Sequence, residues 1–110
     1  MAKGYTSIPH EMMIAYMEAR LVAEGRVNTK DATNLFGIAR QNAAIIVKEW
    51  QARSDLPVYD GSEKAWLPRY ADRRSKLFRS INDAERYMRL IEKSYRETVN
   101  AMHAWDGTNP

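Results

Sequence analysis

Apolar side chains recur at helical spacing over several stretches of the chain and change to a shorter period between the third and the last of them. Met13, Tyr16, Met17, Leu21 and Val22 predict an amphipathic helix, with Ser7 as N-cap, Pro9 in the first turn and Gly25 as C-terminal stop. A shorter helix is predicted after Asn28 or Thr29, holding Asp31, Ala32 and Phe36 and breaking at Gly37; Asp31 falls in its first turn, where the helix dipole favours an acid. A third begins after Ile38 and carries Ala43, Ile46, Val47 and Trp50 as an i, i+3, i+4, i+7 stripe that ends near residues 53–56.

The period then shortens. Pro57-Val58-Tyr59 and Lys64-Ala65-Trp66-Leu67 predict two short strands, with Asp60-Gly61 as the turn signal and Pro68 closing the hairpin. Ser80 or Asn82 then caps a long final helix, Asn82 and Glu85 standing at capping-box spacing. Its apolar positions are Ala84, Met88, Ile91, Tyr95, Val99 and Met102, its charged face holds Arg86, Arg89, Glu92, Lys93, Arg96 and Glu97, and it is expected to reach Ala104. Residues 106–110 read as a polar tail.

Composition narrows the possibilities. With 110 residues, 45% of them hydrophobic and 28% charged, the chain is a single small folded unit and not a multidomain enzyme. The absence of cysteine excludes a disulfide framework, a zinc finger and a thiol nucleophile, and His10 and His103 are too far apart in sequence to suggest a metal cluster. No Gly-rich phosphate loop, paired carboxylates or activated Ser-His-Asp spacing is visible, so neither catalysis nor a cofactor is expected. The uncharged run at residues 43–47 is far short of a membrane span and no signal peptide is legible, which makes the cytoplasm the expected location. The net charge of +3 is mild, but residues 69–79 hold five cations (Arg69, Arg73, Arg74, Lys76, Arg79) against Asp72 alone, while the rest of the chain has twelve cations and thirteen anions.

Three helices with a glycine-containing tight turn between the second and third, followed by a hairpin, give the order of a winged helix-turn-helix. The expected fold is mainly α with a small β-hairpin and a long C-terminal helix. Three units follow: a DNA-binding region at 1–79, a dimerisation helix at 80–105 and the tail at 106–110. At the leading end and outer face of the third helix, Arg40, Gln41, Asn42, Ala44 and Ile45 suit the base edges of the major groove: arginine pairs with guanine, glutamine or asparagine with adenine, and apolar side chains meet the thymine methyl. Thr29, Lys30, Lys48, Arg53, Arg69, Arg73, Arg74 and Lys76 are the expected contacts to backbone phosphates.

The segments Gly25-Arg26-Val27-Asn28-Thr29-Lys30-Asp31, Leu35-Phe36-Gly37-Ile38-Ala39-Arg40-Gln41-Asn42-Ala43, Val58-Tyr59-Asp60 and Lys64-Ala65-Trp66-Leu67-Pro68 resemble the N-terminal winged-helix region of WYL-domain transcriptional regulators. The likeness runs from about Ile8 to Phe78 and is nearest to the repressors that guard bacterial phage-defence loci. It implies a dimer on operator DNA, with the third helix in the major groove, Arg40, Gln41 and Asn42 reading bases, and Ser62 and Lys64 as wing contacts. Two positions depart from that pattern: Ala39 stands where the family usually has serine, and Ile46 where it has an acid. A WYL domain has no room in 110 residues, so no small-molecule effector is expected.

A helix-turn-helix pattern also occurs in small helical domains that bind no nucleic acid, where Gly37 is an ordinary stop and Arg40 a solvated side chain. The hairpin and basic segment arriving in the right order favour a double-stranded DNA partner. The functional expectation is a sequence-specific, dimeric repressor on a pseudo-palindromic operator, with Met88, Ile91, Tyr95, Val99 and Met102 as the homodimer stripe. The alternative is a protein–protein interaction module that uses the C-terminal helix. Trp50 and Trp66 are expected to join the third helix to the hairpin within the core.

Overall fold

A computed structural model describes the backbone of residues 10–106 and the side chains of residues 10–95. The expected N-cap Ser7 and the expected first-turn residue Pro9 lie outside the described residues. The order is α1 (His10–Glu24), α2 (Thr29–Phe36), α3 (Arg40–Arg53), β1 (Pro57–Asp60), β2 (Ala65–Pro68) and α4 (Ile81–Asp106), a mainly helical winged fold with one hairpin. None of the described helices is long and apolar enough to cross a membrane, and no group of His, Asp or Glu among the described residues is arranged to hold a metal.

Local chemistry sets the helix ends. Asn28 and Asp31 form a reciprocal capping box at α2: the Asn28 side chain accepts from the Asp31 N–H at 3.2 Å, and the Asp31 carboxylate accepts from the Asn28 N–H at 2.9 Å. Gly37 ends the same helix at φ 66°, its N–H closing on the Thr33 carbonyl. Gly25 ends α1 at φ 80°. Both conformations are left-handed and cheap only for glycine. Ser80, the first of the two expected residues, caps α4 by accepting from the Asp83 N–H at 3.0 Å; the Asn82–Glu85 pair lies inside the helix.

At α3 the Ala39 backbone has the extended conformation of an N-cap but no side-chain oxygen to accept a bond. Ala39→Ser should therefore raise stability by about 1 kcal/mol, read as an upward shift of the denaturant midpoint. An unchanged or lower midpoint contradicts this account of the helix start.

The core is built mostly on α1. Tyr16, Met17, Leu21 and Val22 are fully buried, and α4 packs along this helix through Ala84, Met88 and Ile91. Trp50 of α3 meets Trp66 of β2 edge-on, with ring centroids 6.1 Å apart, so both tryptophans are core, as expected from the sequence. The Trp50 Nε1 donates at 2.7 Å to the buried Glu18 carboxylate, whose second oxygen accepts from Ser54.

The hairpin pairs Pro57 with Pro68 through to Asp60 with Ala65, so Pro68 is the last residue of β2 and does not stand beyond it. Its turn also differs from the expected Asp-Gly signal. The Asp60 carboxylate accepts from the Ser62 and Glu63 amides, and the left-handed residue is Lys64, at φ 54°. Val27, between α1 and α2, adds a bridge to Trp66 through two backbone hydrogen bonds of 2.7 and 3.1 Å. That bridge fastens the wing to the base of the helix-turn.

Candidate nucleic-acid interface

Packing of α3 on the core sorts its side chains by face. Ala43, Ile46, Val47 and Trp50 point inward, whereas Arg40, Gln41, Asn42, Ala44, Ile45 and Lys48 are exposed. Ile46 thus fills a core position, which accounts for an apolar residue where the resemblance called for an acid. Ile45 is 51% exposed, an aliphatic side chain held in water in the middle of a polar face.

The electrostatics of this face are one-sided. The first turn of α3 contains no acid, and Arg40 stands at its positive end, where a cation is disfavoured by roughly 0.3–1 kcal/mol. With Ala39 as N-cap, the leading amides of α3 also lack a side-chain acceptor. Neither Arg40, Lys48, Lys30 nor Lys64 forms an ion pair among the described residues. The surface therefore combines free cations, amide-bearing side chains and exposed backbone donors, a set suited to phosphates and base edges.

Lys30 is exposed in the first turn of α2, next to the half-buried Thr29. On the wing, Ser62 donates its hydroxyl to Asp60 at 2.7 Å and so holds the turn, while Lys64 is exposed beside it. Arg26 was not singled out from the sequence, yet its guanidinium reaches the wing tip and donates to the Glu63 carboxylate and carbonyl, both at 3.2 Å. The two residues are 37 apart, and the Val27 bridge to Trp66 holds the wing beside Arg26.

The basic segment is more structural than its charge suggests. Arg73 folds back on the C-terminus of α1, donating to the Val22 and Ala23 carbonyls at 2.8 and 3.1 Å, where terminal carbonyls lack helical partners. Arg69 donates to the Asp55 carbonyl, Arg53 lies 3.6 Å from Glu11, and Arg74 grips Asp72, holding that carboxyl down at about 2. Lys76 remains exposed without an ion pair among the described residues. Phe78 anchors the end of the segment in the core against Tyr87, 5.4 Å away.

Arg73→Ala should consequently cost about 2 kcal/mol of stability, because two charge-assisted bonds to buried-side carbonyls are lost. Denaturant unfolding checks this. A variant of unchanged stability that binds all DNA more weakly would assign Arg73 to phosphates instead.

The expected homodimer stripe is partly committed elsewhere. Met88 and Ile91 are buried in the core of their own chain, and Tyr95 packs on Phe36; the side chains of Val99 and Met102 lie outside the described residues. Glu92, expected on the solvated face, is instead half-buried and accepts from Tyr16 at 2.7 Å and Arg20 at 3.1 Å. Burial and that carboxylate push the Tyr16 phenol up. Arg20, also unmarked in the sequence, reaches Glu24, Asp31 and Glu92 and so joins α1, α2 and α4.

No curated protein matches the chain. The family model of the BrxR transcriptional regulator winged helix-turn-helix domain matches residues 10–93, from the start of α1 through the wing and into α4. That match agrees with the observed helix order, the left-handed Gly37 turn and the hairpin, and bears out the relation to phage-defence regulators read from the motifs. The chain belongs to the BrxR transcriptional regulator winged helix-turn-helix domain family.

Proposed function

We propose that the protein is a cytoplasmic, sequence-specific DNA-binding repressor that acts as a homodimer on a pseudo-palindromic operator. The observation that carries this reading is the exposed leading face of α3, where Arg40, Gln41, Asn42, Ala44, Ile45 and Lys48 stand free over a helix end with no acid. In this account α3 enters the major groove. Arg40 reads guanine, Gln41 and Asn42 read adenine, and Ala44 and Ile45 meet thymine methyls. Lys30, Lys48, Ser62 and Lys64 contact the flanking phosphates, with Thr29, Arg53, Arg69, Arg74 and Lys76 at the margins.

The dimer contact falls to the far end of α4, since the nearer part of the stripe is spent on the core. By helical spacing Val99 and Met102 continue the register of Ile91 and Tyr95. The double variant Val99→Lys, Met102→Lys should sediment as a monomer with little change in unfolding midpoint; a variant that remains dimeric rejects this placement. Footprinting on the DNA upstream of the coding region tests the reading as a whole. It should reveal two protected half-sites about 10 base pairs apart, and uniform or absent protection would overturn it. An interaction module would instead retain a protein partner and leave no footprint.

A further inference from the structure

Tyr95 belongs to α4, yet its hydroxyl donates at 3.1 Å to the carbonyl of Phe36, the last residue of α2. That carbonyl sits in the final turn of a helix, where the next residues supply no helical donor. The rings of the two residues also meet edge-on, with centroids 5.2 Å apart, and Phe36 packs in the same way on Tyr16 of α1 at 5.4 Å. Immediately after Phe36 come the left-handed Gly37 and then the start of α3 at Arg40.

A second tie lies one turn earlier on α4. Glu92 accepts from Tyr16 and Arg20, and Arg20 is 3.4 Å from Asp31 in the capping box of α2. The first and last turns of α2 are thus each linked to α4. Rotation of α2 moves the corner from which α3 departs, and Tyr95 grips α2 at that corner.

We infer that Tyr95 is a positioning residue for base reading, fixing through Phe36 the angle at which the α2–α3 corner presents α3 to DNA. This role rests on the reading of α3 as the recognition helix. Base edges demand a defined helix angle, whereas phosphate attraction tolerates deviation. Loosening the corner lowers the fraction of molecules competent for specific binding, and apparent affinity falls with that fraction.

Tyr95→Phe keeps the ring and deletes the hydroxyl. Amide hydrogen exchange in the free protein should accelerate at Gly37, whose N–H bonds the Thr33 carbonyl at 2.9 Å, and the ratio of operator to random-duplex affinity should fall. Both changes should be about three- to tenfold, the equilibrium effect of one hydrogen bond. Tyr87→Phe, also on α4 but packed against Phe78, serves as control and should alter neither quantity. Unchanged exchange at the Gly37 amide, an equal loss on operator and random DNA, or the same effect from Tyr87→Phe would each overturn the inference. A wild-type protein that fails to distinguish operator from random duplex would instead overturn the DNA reading on which it rests, and the exchange measurement separates the two failures.

Discussion

Replacing Trp50 by alanine is expected to remove about 3–5 kcal/mol of stability, a large part of the roughly 5–15 kcal/mol that holds a domain of this kind folded. Trp50 is fully buried and braces α3 against the wing through Trp66. Its indole N–H also satisfies Glu18, a carboxylate that is 5% exposed and, among the described residues, keeps only Ser54 as a partner once the indole is gone. Two penalties therefore coincide, a cavity and an under-bonded buried acid. Trp50→Phe separates them, because it refills much of the space and still removes the donor; its loss should fall between wild type and Trp50→Ala. Chemical denaturation followed by circular dichroism measures both. A loss below about 1 kcal/mol for the alanine variant would contradict this account of the core.

The second large effect is on binding. The variant Arg40→Glu, Lys48→Glu should lose specific DNA binding by at least about a hundredfold, because one bidentate base contact is worth roughly 1–3 kcal/mol and each reversed charge also opposes the phosphates. Its stability should not fall in parallel. Arg40 occupies the positive end of α3, where an acid is preferred, so the free variant should be as stable as the wild type or slightly more so. Binding and stability moving in opposite directions mark a side chain kept for a partner. Anisotropy titration beside thermal unfolding decides the point, and parallel losses would mean that the substitutions had damaged the fold.

Legibility in the sequence followed the range of the interactions. Asn28 with Asp31, Gly25 and Gly37 act within one helical turn of their own positions, and the helix boundaries they set were accordingly readable. The stripe Ala43, Ile46, Val47 and Trp50 likewise identified the buried side of α3, and by difference its exposed side. Periodicity reports that a face is covered but not by what. Met88, Ile91 and Tyr95 therefore looked available for a second copy although α1 and α2 already cover them. Charge count has the same blindness: the segment at residues 69–79 reads as a free basic patch, whereas Arg73 is spent on the end of α1 some 50 residues away. Lys64, and not Gly61, took the left-handed position because the Asp60 side chain bonded the Ser62 and Glu63 amides and moved the reversal to the end of the turn. Glu18 and Arg26 left no local trace, since each is defined by partners on other elements, and the spacing of Arg20 to Tyr16 and Glu24 on α1 shows nothing of its ties to Asp31 and Glu92.

The central claim is that the cations and open helix end of α3, with the wing beside them, form a surface for double-stranded DNA. Its most direct test is an anisotropy titration of the wild-type protein on duplex from upstream of its coding region, at about 50 and about 200 mM salt. Six or more neutralised phosphates would weaken binding by about a thousandfold or more between the two conditions, with the upstream duplex still preferred over a scrambled one at each. Binding absent at the lower salt, or an affinity that does not respond to salt, would contradict the account.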